Sequence, residues 1–195
     1  MNAIELLKMQ HEQTKAALEK MSEGEIEKDE VRLLADELVA HMVIEEHIFY
    51  PRIQQLKKDL VKESFEEHAV ARFELARALM SKGEDQKTRL TVLKELIEHH
   101  VEEEEKELFP KVQKAISAQE LETLGQRMEA MFDKAVEVGL EKLVVGNGIE
   151  LIRRDSSVTK TNGARAMTPR AGGKARGRGA VKQTRGGRSS RASAR

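Results

Sequence analysis

Between residues 3 and 22 the chain sets Ile4, Leu7, His11, Thr14, Leu18 and Met21 at alternating steps of three and four. That is the stripe of an amphipathic helix, and Gly24 ends it. A second helix, over about 27–57, repeats the rhythm with Val31, Leu34, Leu38, His41, Glu45 and Ile48, and Pro51 marks a kink or break in it. A third, over about 59–81, runs Val61, Phe65, His68, Arg72, Leu75 and Leu79 and stops near Gly83, read as its C-terminal cap. A fourth, over about 84–114, runs Leu90, Leu93, Ile97, His100, Glu104 and Leu108. A fifth segment, about 118–143, puts Leu121, Leu124, Met128, Phe132 and Ala135 on one face and is expected to pack outside the other four.

The second and fourth helices are copies of one pattern. Leu38 to Glu45 and on to Tyr50-Pro51 matches Ile97 to Glu104 and on to Phe109-Pro110 at a constant offset of 59 residues, and His11 and His68 are offset by 57. The repeating unit is therefore a helical hairpin. Two hairpins joined by short loops predict an all-α antiparallel up-down-up-down four-helix bundle with an extra C-terminal helix. The bundle and fifth helix are expected over 1–145, and a linker with a basic tail over 146–195.

Composition agrees with helices. Three prolines, one Tyr, five Phe and no Trp, with 35% charged residues, leave nothing that reads as hairpin strands. Cysteine is absent, which excludes disulfides, thiolate metal sites and cysteine catalysis, so a metal here must use nitrogen and oxygen. No run approaches the roughly 20 apolar residues of a membrane span and the N-terminal residues have no signal-peptide core, so the expected location is the cytoplasm, without membrane association.

The zero net charge hides a division. Residues 156–195 carry 11 Lys/Arg and no Asp/Glu, leaving 23 Lys/Arg against 34 Asp/Glu in residues 1–155. The tail is rich in Gly, Ser, Thr, Ala and Arg, cannot bury enough apolar surface to offset chain entropy, and is expected to be disordered. Its segment Lys174 to Arg188 resembles arginine-glycine-rich tails, which implies weak, salt-sensitive, non-specific nucleic-acid binding through phosphates as a secondary property, the alternatives being a solubilising tail or one that folds back on the acidic bundle. It contains no aromatic residue for base stacking.

The chemistry lies on the core stripes, where four His and two Glu stand at positions that normally hold apolar side chains. His41/Glu45 and His100/Glu104 are i, i+4 pairs, each about 6 Å apart on one face. Counted from the hairpin loops near residues 25 and 83, His11, His41 and Glu45 lie about 14, 16 and 20 residues away, and His68, His100 and Glu104 about 15, 17 and 21. At about 1.5 Å per residue all six fall in one slab roughly 10 Å thick. Imidazoles suit iron, zinc, copper or nickel, and carboxylates can bridge two ions. Six ligands related by a pseudo-two-fold are too many for one tetrahedral ion. Two ions, each holding two His and bridged by both Glu, fill the geometry and leave a position open for a small ligand.

The pattern His, His-x-x-x-Glu, His, His-x-x-x-Glu, with its Tyr-Pro and Phe-Pro endings, closely resembles the hemerythrin-like HHE cation-binding family over about residues 1–145. The resemblance implies a non-haem di-iron centre, two iron ions held by His11, His41, Glu45, His68, His100 and Glu104. Such centres bind oxygen, sense oxygen or nitric oxide, process peroxide or repair iron-sulfur clusters. Respiratory hemerythrins show His-x-x-x-His on the third helix where this sequence has His68-Ala-Val-Ala-Arg72. The four-His, two-Glu set looks more like cluster-repair proteins and some bacterial HHE proteins. The leading expectation is a protein that binds or senses dioxygen, nitric oxide or peroxide. The alternatives are redox turnover of peroxide or nitric oxide, iron donation to clusters, or a structural ion or iron reservoir.

Around the site, Arg72 is expected to snorkel outward from the stripe edge while Ala71 faces inward, the alternative being that it holds an anion or a bound peroxide beside the metals. His47 is expected off the stripe in solvent, and Tyr50 to pack at the kink, or alternatively to hydrogen-bond near the site. Of the run Glu102 to Glu105, only Glu104 is in register with His100, the rest forming a charged face.

Overall fold

The computed structural model describes residues 1–24 and 28–139, which are helical with no strand among them. Helix α1 (Ala3–Glu23) begins at a reciprocal cap. The Asn2 side chain accepts from the Ile4 and Glu5 backbone N–H groups at 3.0 and 3.1 Å, and the Asn2 N–H donates to Glu5 at 3.0 Å. Gly24 ends the helix, as its sequence implies.

Helix α2 (Lys28–Ile44) passes without interruption into a π-helical turn, Glu45–Phe49, and then a short α3 (Tyr50–Ile53). After α4 (Lys58–Met80) the same succession recurs: α5 (Gly83–Glu103), a second π turn at Glu104–Leu108, and α6 (Phe109–Ala115). Helix α7 (Ala118–Val138) starts at Ser117, whose side chain accepts from the Glu120 N–H. Helix α4 packs on α5, α1 on α5, and α7 on both α1 and α2.

The expected kink at Pro51 is instead a widened turn upstream of it. Pro51 and Pro110 open α3 and α6, where their missing N–H groups would have bonded one turn back. The chain relieves this by a longer bond: the Tyr50 N–H reaches the Glu45 carbonyl and the Phe109 N–H the Glu104 carbonyl. The second helix ends at Ile53, short of the expected 57. Gly83 is not a cap of α4, which ends at Ser81; with φ of +58° it is the first residue of α5.

The stripe read on α4 is corrected too. Val61, Ser64, His68, Ala71, Leu75 and Ala78 are buried, whereas Phe65 is exposed and Arg72 and Leu79 are half-buried. Both series follow steps of three and four, and the small residues sit inward because α4 lies close against α5.

Helix α7 covers α1 and α2 with Leu121, Leu124, Gly125, Met128 and Ala135. A Cβ on Gly125 would stand 2.4 Å from the Met1 carbonyl oxygen and 2.8 Å from the Ala3 nitrogen, main-chain atoms that cannot swing aside. Gly125→Ala is expected to destabilise the fold by about 1–3 kcal/mol, read as a lower urea midpoint at unchanged slope.

No helix among the described residues is long and apolar enough to cross a membrane. The expected end of the fifth helix at 143, the boundary at 145, and the linker, disordered basic tail and nucleic-acid surface over 146–195 lie outside the described residues.

Candidate metal centre

Two apolar clusters fill the bundle. One gathers Leu18, Met21, Leu34, Leu38, Leu75, Leu90 and Leu93. The other gathers Ile4, Leu7, Phe49, Tyr50, Ile53, Phe109 and Val112. Six His and Glu side chains on α1, α2, α4, α5 and the two π turns are buried among these clusters, and none is more than 4% exposed: His11, His41, Glu45, His68, His100 and Glu104. The structure brings together every residue of the expected set.

Each imidazole turns Nδ1 outward to an oxygen at 2.9 Å: His11 to Glu105, His41 to Gln10, His68 to Glu46 and His100 to Glu67. A ring that donates from Nδ1 leaves its Nε2 lone pair facing the centre, the tautomer a metal requires. The Nε2 atoms of His41 and His68 both lie 3.3 Å from Glu45 Oε2. Those of His11 and His100 lie 3.4 and 3.9 Å from Glu104 Oε2. His11, His41 and Glu45 can hold one ion, and Glu45, His68 and His100 another. Glu45 thus touches one imidazole of each pair, and so does Glu104.

These donors fit a cation and little else. His11 Nε2, both oxygens of Glu45 and Glu104 Oε2 are buried without a hydrogen-bond partner, a condition that costs roughly 1–3 kcal/mol per neutral group and more per charge. Burial, followed by the charge of Glu104, pushes the Glu45 carboxyl well above the usual carboxylate range. Burial also acts upward on Glu104, yet the imidazoles of His11 and His100 beside it hold it below that range. Burial opposes protonation of His11, but Glu104 raises its pKa on balance. His100 is raised against burial in the same way, chiefly by Glu67. Burial and the neighbouring His11 keep His41 well below the ordinary imidazole value. A bound metal ion would supply the positive charge that favours an ionised Glu104 and would compete with protons for the imidazoles.

Sequence comparison agrees with the geometry. The hemerythrin HHE cation binding domain family matches residues 2–112. The chain belongs to that family. It is similar to a crystal structure of a hemerythrin HHE cation binding domain-containing protein from Mycobacterium kansasii, at 28% identity and a TM-score of 0.60, covering 78% of this chain and 98% of that one. No curated protein matches the sequence significantly.

This HHE domain contains functional residues that stripe reading misses. Gln10 and Glu67 precede His11 and His68, and Glu46 and Glu105 follow Glu45 and Glu104, yet each supports an imidazole on a different helix. Adjacency to a ligand is the only signal they leave in the sequence. Glu105 therefore belongs to the site's support and not to a plain charged face. Tyr50 does more than pack: it is wholly buried and donates its O–H to Glu104 Oε1 at 2.9 Å. The π turns begin at Glu45 and Glu104 themselves, so one widened turn sets both a candidate ligand and the aromatic that follows it.

Arg72 does not reach the candidate ligands; its Nη2 donates to Glu46 Oε1 at 2.7 Å, the same oxygen that supports His68. Ala71 faces inward. His47 is half-buried and stands outside the constellation. His99 is exposed and lies 3.6 and 3.7 Å from Glu67 and Glu103, a surface group apart from the buried layer.

Proposed function

We propose that this HHE domain is an antiparallel up-down-up-down bundle holding two iron ions between the His11–His41 and His68–His100 pairs, bridged by Glu45 and Glu104, and that it binds or senses a small ligand such as dioxygen, nitric oxide or peroxide. Iron bound there would supply an open coordination position and one-electron exchange. The cytoplasm is the proposed location.

The observation that carries the ligand reading is a cavity of about 10 Å³ against all four imidazoles, walled by Thr14, Leu38, Met42, Ile97 and Val101. Such a space admits roughly one water-sized molecule. Beyond the imidazoles its walls are apolar except for Thr14, which favours diatomic or similarly small ligands. The carboxylates and Tyr50 lie toward the other apolar cluster, where Tyr50 holds its proton on Glu104.

Iron-loaded protein titrated with azide, and anaerobically with nitric oxide, tests the reading. A saturable ligand-dependent change in the visible spectrum is expected, absent from metal-free protein. An iron-loaded spectrum indifferent to azide, nitric oxide and oxygen would indicate a structural ion instead. Redox turnover is the second reading, favoured by the Tyr50 O–H as a buried proton donor beside the site, and steady-state peroxide and nitric oxide consumption separates it from binding alone.

A further inference from the structure

The internal repeat allows the two halves of the site to be compared atom for atom. An offset of 57 carries His11 onto His68 and Gln10 onto Glu67, and an offset of 59 carries His41 onto His100, Glu46 onto Glu105 and Tyr50 onto Phe109. The outward hydrogen bonds obey the same symmetry. His11–Glu105 maps onto His68–Glu46, both imidazole to carboxylate at 2.9 Å. His41–Gln10 maps onto His100–Glu67, at the same 2.9 Å but with an amide in place of a carboxylate. Gln10 is 5% exposed, so water does not replace the missing charge.

We infer that Gln10 makes the two metal positions inequivalent, the His68–His100 position binding its ion first and more tightly, and the His11–His41 position binding second and exchanging more readily. This rests on the two-ion reading above. A carboxylate beneath Nδ1–H stabilises positive charge on the ring and strengthens the Nε2 donor, whereas a neutral amide orients the ring without that gain; changes of this kind alter metal affinity about 10–100-fold. Gln10 is a positioning residue, since it touches His41 and not the centre.

The other departures from symmetry do not reverse the order. Tyr50 against Phe109 acts on Glu104, which borders one imidazole of each pair and so favours neither. Arg72 shares Glu46 Oε1 with His68 and offsets part of that carboxylate's effect, as His99 at 3.6 Å does for Glu67, but each carboxylate still pairs with its imidazole at 2.9 Å. On the equivalent carboxylate Glu105, Lys8 stands at 3.9 Å and exerts the same kind of offset. The amide under His41 has no carboxylate to offset.

The test is calorimetric and spectroscopic titration of the metal-free full chain with cobalt(II), whose absorption reports each environment. Two resolved steps separated by about 10–100-fold are expected. Gln10→Glu should tighten the second step by about tenfold and leave the first in place, whereas Glu67→Gln should weaken the first step and merge the two. Circular dichroism before titration confirms that each variant is folded, and either variant alone suffices. Two ions binding with one common affinity, or two steps untouched by both variants, would overturn the inference while leaving the two-ion reading intact. A single ion bound in total would overturn the two-ion reading as well.

Discussion

Replacing His41 or Glu104 with Ala is expected to lower metal content and thermal stability together. His41 supplies an inward Nε2 within 3.3 Å of Glu45, and Glu104 borders both His11 and His100 while accepting from Tyr50. An ion present at a hundred times its dissociation constant stabilises the fold by about 2.7 kcal/mol, worth roughly 5–10 °C in a domain of this size. Loss of one ion should lower Tm by about that much, and loss of both by about twice as much. Glu104→Ala adds a second effect that chelation does not remove: the buried Tyr50 O–H loses its acceptor, at a cost of roughly 1–3 kcal/mol. Elemental analysis and calorimetry, each with and without chelator, separate the two. Retention of both ions by either variant would contradict the ligand assignment.

The opposite sign is expected for Glu45→Gln in metal-free protein. Because the Glu45 pKa is raised in the fold by burial and by Glu104, the fold holds a proton that the unfolded chain has released. Stability from this group is therefore full below the ordinary carboxylate pKa and is lost as pH rises toward the raised folded value. The slope is about 1.4 kcal/mol per pH unit across that window. A neutral amide removes the slope, and its NH₂ can donate to Glu104. Metal-free Glu45→Gln should accordingly exceed the metal-free parent by about 1–3 kcal/mol near pH 7, with the difference shrinking toward pH 4. The same variant should bind metal poorly, so that stability and loading move in opposite directions. Equal pH dependence in the two metal-free proteins would show that Glu45 is ionised in the fold.

The bundle was legible because burial on four helices follows one period, and an ionisable residue on such a stripe stands out against Leu and Ile. His11, His41, Glu45, His68, His100 and Glu104 stood out that way as candidates, and counting from the loops placed them in one layer. What stayed hidden depends on contacts between helices or on the main chain. Gln10 and Glu67 look like surface residues on their own helices and acquire a role only when His41 and His100 arrive from elsewhere. Pro51 and Pro110 announced a disturbance, but a kink and a π turn satisfy the same missing N–H, and local sequence does not choose between them. Phe65 and Leu79 were misplaced because two stripes on α4 share the same spacing, and packing on α5 selects the one with small residues.

The site's central claim is that two ions lie within one buried layer, and anomalous diffraction from crystals of the iron-loaded chain tests it most directly. Two anomalous peaks per chain are predicted, one at His11, His41 and Glu45 and one at Glu45, His68 and His100, with Glu104 beside both. A single peak in the bundle, or density only at the half-buried group Glu67, His99 and Glu103, would contradict the account.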